Sequence, residues 1–333
     1  MSPAGSTARV ASQAARPASP VTVASHQFVA EHMAAARDLG RRLAAELADP
    51  EAFTATLTRG FEQLADPAVV EGIHSVTPGL GLVLGVRIPL MTATHRAFVR
   101  STRKTPSALL LDVVARLLKE EPREIRWFGM FNLGRLLPTD PERTWQLLRR
   151  SAAEADEWIS VDTLAHPYAE GIVRDQRRWA EIEQLVYSPS RWERRLVGST
   201  IATMPHTRLP GSRDPAVVRH GLTLMGQLIG DDEPDVQKAL SWALRTLADL
   251  DRPATAEFLE SQTKTAAETA DGHRAWVIRD SLSKLPPDTA VRLKSQLEGV
   301  RRRPGAPSTS IAASTAAGFF AGTFGAAAHV PEE

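Results

Sequence analysis

Apolar residues recur along most of the chain at three- and four-residue spacing, and Pro, Asp or Gly interrupt them at short intervals. The period-two alternation of a half-buried strand is hard to find. Five segments open alike: EPREIRWFGMFNLGRLL, EADEWISVDTLAHPYAEGI, SPSRWERRLVGSTIATM, EPDVQKALSWALRTLADL and ADGHRAWVIRDSLSKL. Their starts, near Glu121, Glu154, Ser188, Glu233 and Ala270, recur every 33 to 45 residues or so, roughly the pitch of paired-helix solenoids of the HEAT or armadillo kind. The pattern predicts an all-α fold: a helical-repeat solenoid, C-shaped, with one concave face.

The repeats are expected to occupy residues 26–303. Residues 1–25 are rich in Ala, Ser and Pro and hold no acid. They cannot bury enough surface to fold alone and read as a disordered tail. They lack a secretory apolar run, and they match an organellar transit peptide in composition but not in amphipathic pattern. Residues 304–333 read as a second disordered tail. Within it, Ile311 to Val330 carries no charge and reaches membrane-spanning length, yet is mostly Ala, Gly, Ser and Thr, which gain little in hydrocarbon. No membrane contact is expected.

Helical phase singles out a few side chains. In EWISVDTLA, Trp158 and Asp162 lie about 40° apart on one side of a helix, with Ala165 and Ala169 continuing their stripe. Val161, Leu164, Tyr168 and Ile172 form the apolar arc beside them. The pair thus sits at the edge of the packing face, above small residues that leave room for a ligand, and a carboxylate there needs a partner or a task. In the segment beginning at Glu233, Val236, Leu240, Leu244 and Leu247 share an apolar arc; Trp242 falls opposite, with Lys238, Arg245 and Asp249. In the segment beginning at Ser188, Leu196, Val197, Ile201 and Met204 face inward. Arg195 points away, over Gly198, Ser199 and Ala202, where a planar guanidinium would reach a phosphate. Arg194 turns to the flank and reads first as a solvated or paired charge. Phase leaves Trp192 undecided.

Charge changes the picture locally. The formal total is +1, but between Arg87 and Arg150 thirteen Lys or Arg face six acids, an excess that suits an anionic partner if it gathers on one surface. With no cysteine there are no disulfides, thiolate metal sites or thiol nucleophiles, which suits a cytoplasmic location. His166 has no second ligand at helical spacing, and no phosphate-cradling glycine loop or serine elbow is present, so neither metal nor cofactor is expected. Trp127, Trp145, Trp179 and Trp276 are assigned to packing between repeats. Glu154, Asp156 and Glu157 read as favourable charge at a helix N-terminus.

Together, the WxxxD of EWISVDTLA, the WxRR of RWERRLVG, the KAxxWALR of QKALSWALRTLA and the upstream LGVRIPLMTATHRAFVRS resemble the DNA alkylation repair family, the AlkD-like glycosylases built from HEAT-like repeats. The likeness runs from about Ala30 to Leu285 and excludes both tails. It implies a monomer that holds duplex DNA and cleaves the N-glycosidic bond of purines alkylated at N3 or N7, with the damaged nucleotide left stacked instead of flipped. It further implies catalytic roles for Asp162, Trp158 and Trp242, and DNA contacts for Arg195 and Arg245, with Arg194 and Lys238 as flanking candidates. A non-catalytic binder of DNA damage or shape and a protein-interaction scaffold are the competing readings.

Overall fold

The computed structural model describes residues 20–325, in sixteen helices. The first eight are α1 (Pro20–Leu43), α2 (Pro50–Gln63), α3 (Pro67–Val76), α4 (Ile88–Ser101), α5 (Ser107–Leu117), α6 (Arg123–Leu136), α7 (Pro141–Ala153) and α8 (Trp158–Arg174). They are followed by α9 (Trp179–Leu185), α10 (Arg191–Thr203), α11 (Pro215–Leu228), α12 (Pro234–Leu250), α13 (Arg252–Thr269), α14 (Gly272–Ser281), α15 (Pro287–Gln296) and α16 (Ile311–Gly325). Among the described residues the only β pairing is a single bridge, Ala65 to Val86.

Aspartate and proline mark several starts. Asp49, Asp66, Asp214 and Asp251 each accept a first-turn amide, and each is followed within two residues by a proline whose missing N–H costs nothing there. Helices α4, α6, α8, α10, α12 and α14 pack one on the next as a layer, and α5, α7, α9, α11 and α13 back their successors as a second layer. A single apolar core runs between the layers from Ala36 to Ala312. Within it, Phe53, Phe61, Phe98 and Phe128 meet edge to face or tilted. This is the all-α repeat architecture that the periodicity predicts.

The tails differ from expectation. Residues 20–25 extend α1 by its first turns, which adds hydrogen bonds to a helix already nucleated by packing on α4; residues 1–19 lie outside the described residues. After Arg303 the chain does not leave the fold. Thr309 donates its amide to Gly230 O (2.9 Å), Ser310 and Ala312 are buried, and α16 packs on α11. Hydrogen bonds anchor this segment where apolar area would not, and composition carries no sign of them. No helix among the described residues is long and apolar enough to cross a membrane.

Candidate nucleic-acid interface

The start of α8 is built around Glu157. Its buried carboxylate caps the helix, accepting from the amides of Ile159 and Ser160 (2.7 Å for the latter), while Trp127 Nε1 donates to Ser160 Oγ at 3.0 Å. Burial pushes the Glu157 carboxyl above its ordinary range. Trp158, the first helical residue, is half-buried and donates its indole N–H to Thr77 Oγ1 at 2.7 Å. Thr77 opens the loop from α3 to α4, which α6 holds in place. The buried Glu124 accepts from the amides of Leu84, Gly85 and Val86 at 2.7 to 3.2 Å. Arg123 donates to Leu80 O (2.6 Å) and to both oxygens of Asp156 (2.7 Å each), a pairing that raises the guanidinium pKa. Gly85 is required in this loop, because at φ +95° a Cβ would lie 2.7 Å from Asp66 O.

One turn along α8, Asp162 meets α10. Its Oδ1 accepts from Arg195 Nε (3.1 Å) and Ser199 Oγ (2.7 Å), and its Oδ2 accepts from Arg195 Nη2 (2.7 Å). Arg195 Nη1 continues to Asp235 O on α12 (2.7 Å), and its guanidinium lies 6.0 Å from the centre of the Trp158 ring. The side chain of Arg195 is 7% exposed and that of Asp162 22%. The expectation that Arg195 stands over an open surface is therefore corrected. Gly198, Ser199 and Ala202 let the helices approach instead of clearing space for DNA: a Cβ on Gly198 would lie 2.8 Å from the Ala239 carbonyl carbon. Ala165 and Ala169 are likewise fully buried. α8, α10 and α12 each have a neighbour on two sides within their layer, so the flanks of each helix meet the adjoining repeats. Arg195 holds the carboxylate in a fixed orientation.

The space for a ligand opens beside this cluster, as a groove of about 680 Å³. Trp158, Ile159, Asp162, Thr163 and His166 of α8 form one wall; Thr92 and His95 of α4, Phe131 and Arg135 of α6, and His206 and Thr207 after α10 complete it. His95 Nε2 is buried with no hydrogen-bond partner among the described residues, and burial, reinforced by the nearby Arg135, lowers its pKa to about 4. Among the described residues no three His, Asp or Glu side chains gather closely enough to hold a metal ion.

The family model described as DNA alkylation repair enzyme matches residues 57–285. The chain belongs to this family. Its place is thus in the repair of alkylation damage, with DNA as the substrate. A solved structure described as a predicted DNA alkylation repair enzyme from Enterococcus faecalis superposes with a TM-score of 0.50 at 13% identity, covering 71% of this chain and 97% of that one. That likeness speaks to the fold. None of the curated proteins matches the sequence.

Within the matched repair region, Trp242 is half-buried on α12 against the edge of the core and has no hydrogen-bond or ring partner among the described residues. It comes from the repeat after Arg195 and makes no hydrogen bond or ring contact with the Trp158–Asp162–Arg195 cluster among the described residues. Arg245 pairs with Asp280 (2.6 Å), Arg194 with the buried Asp231 (2.7 Å), and Lys238 is exposed. Arg194 thus takes the paired role that its flank position suggested and is not a free DNA contact. Trp127, Trp145 and Trp179 are buried in packing, and Trp192 is half-buried beneath Arg191. Much of the basic excess is also paired: Arg87 with Asp66, Arg116 with Glu120, Arg143 with Asp140, Arg149 with Glu181 and Arg150 with Glu154. Arg96, Arg100, Arg103 and Lys104, on and just after the helix whose Thr92 and His95 line the groove, are exposed and in no ion pair among the described residues. Sequence reasoning missed Thr77, Ser199 and His206. Ser199 alone carried a signal, lying one helical turn from Arg195.

Proposed function

We propose that this protein is a DNA glycosylase for purines carrying an alkyl group at N3 or N7, acting as a monomer on duplex DNA without extruding the nucleotide. The observation that carries the proposal is Asp162: a carboxylate fixed by Arg195 and Ser199, still open to a groove, beside the indole of Trp158. Such a purine already bears positive charge and departs as a neutral base with the bonding electrons, so no general acid is needed. The sugar is left as an oxocarbenium-like cation, to which water adds at C1′. A preorganised carboxylate near C1′ stabilises that cation and accepts the proton of the attacking water. Trp158 and Trp242 would flank the deoxyribose and backbone, and Lys238 and Arg245 would meet phosphate. Arg195 acts as a positioning residue through Asp162 instead of gripping phosphate.

The test is incubation of the full chain with methylated duplex DNA and measurement of free N7- and N3-methylpurine. Release above the spontaneous rate supports the assignment. Specific binding of the damaged duplex without release would favour a damage binder, a reading consistent with the guanidinium that already opposes the Asp162 charge.

A further inference from the structure

The last repeats are closed by residues beyond the family match. Arg279 of α14 donates to Leu297 O and Val300 O (2.6 Å each) and so ties down the turn after α15. From there the backbone presses on the first turn of α14, with Arg301 O 2.1 Å from the position a Gly272 Cβ would take. Arg302 donates to Gln237 Oε1 (2.8 Å) and lies 4.9 Å over the Trp276 ring. His273 Nε2 meets Ala306 O (3.1 Å) while its Nδ1 faces Gln237 Nε2 (3.2 Å). Thr309 Oγ1 donates to Asp271 (2.5 Å). Residues 300–310 are thus a strap across the N-terminal ends of α12 and α14.

The strap carries Arg301, Arg302 and Arg303, all exposed and none in an ion pair among the described residues. Asp271 pairs with Arg274, Asp280 with Arg245, and Asp249 with Lys284, while Glu298 and Asp232 are exposed acids near the strap with no ion pair among the described residues. Helical phase on α12 and α14 gives the side on which Arg302, between its two neighbours, is seated. Trp276 lies one turn from Asp280 on α14, and Asp280 holds Arg245, three residues from Trp242 on α12. Arg302 over Trp276 therefore extends the side of the stack that bears Trp242, Arg245 and Lys238.

We infer that Arg301 to Arg303 are a backbone contact for duplex DNA, presented by the C-terminal strap at the opposite end of the stack from Arg96 and Arg100. The inference rests on the function proposed above. The strap's hydrogen bonds fix the main chain in advance, so little freedom is lost when the guanidiniums meet phosphates. The contact is sequence-independent, as expected of phosphate recognition.

The test compares the full chain with its Arg301→Gln/Arg303→Gln variant, which leaves the seated Arg302 intact. Binding to an undamaged duplex is measured across salt concentrations, with thermal unfolding as a control for folding. Two lost phosphate contacts make the slope of log affinity against log salt shallower by about 1.8, so the affinity ratio between about 50 and 200 mM salt shrinks by about tenfold. An unchanged slope would overturn the strap contact and leave the proposed function standing. A parent chain that binds no duplex at any salt would overturn both.

Discussion

Arg195 sets a nearly buried guanidinium between the Asp162 carboxylate and the Asp235 carbonyl, so its removal strands two acceptors at once. Arg195→Ala is expected to lower stability by about 3 kcal/mol, near the low end for a broken buried pair because Asp162 can be rehydrated from the groove. Under the glycosylase reading it also slows excision at saturating protein, since the carboxylate loses its orientation. Arg195→Lys restores charge but not the two-pronged geometry, and recovers stability better than rate. Denaturant unfolding with single-turnover kinetics checks both effects; a variant altered only in DNA affinity would return Arg195 to phosphate binding. His95 gives a pH signature. Its folded pKa, about 4, lies below the ordinary 6.5, so folding favours the neutral ring. That stability is complete above pH 6.5 and is lost as pH falls towards 4, at about 1.4 kcal/mol per unit. His95→Leu should flatten this part of the stability profile in urea unfolding at pH 7 and pH 5, and an equal acid loss in parent and variant would contradict it.

At the level of elements, Gly198 fixes how closely α10 approaches α12. Gly198→Ala brings a methyl against Ala239 backbone, which cannot swing aside, and should destabilise by about 1–3 kcal/mol as overpacking. Denaturant unfolding reads this, and a gain in stability from the better helix former would count against the close approach. The same contact explains what the sequence could and could not convey. The inner helices were legible because their apolar arcs recur at repeat pitch, and Trp158 and Asp162 because they stand off those arcs in a tight motif. Arg195 was misplaced because a single-helix wheel has one inside and one outside, whereas a stacked helix also faces neighbouring repeats. Small residues beside it then signalled contact, not vacancy. Thr77 lies 81 residues from the indole it holds, and the strap is secured by hydrogen bonds to Gly230 and Asp271, neither of which leaves a mark in local periodicity.

For the whole molecule, the proposed site draws side chains from successive repeats: Trp158 and Asp162 on α8, Arg195 on α10 and Trp242 on α12, with arginines on α4 and on the strap that have no ion pair among the described residues. On the proposed function the stack would hold the duplex by its backbone, while one carboxylate would supply the chemistry. Substituting that carboxylate by its amide separates the two parts: Asp162→Asn preserves shape and removes the charge proposed to face the sugar. Because it also gives up one of the two acceptors that Arg195 engages, thermal unfolding is the control for a disturbed site. Single-turnover release of N7- or N3-methylpurine, measured beside equilibrium binding to undamaged duplex, is the direct test. The account predicts a fall in excision of about 10² to 10³, as for loss of one preorganised electrostatic group, with duplex affinity nearly unchanged. Full excision by Asp162→Asn would contradict it.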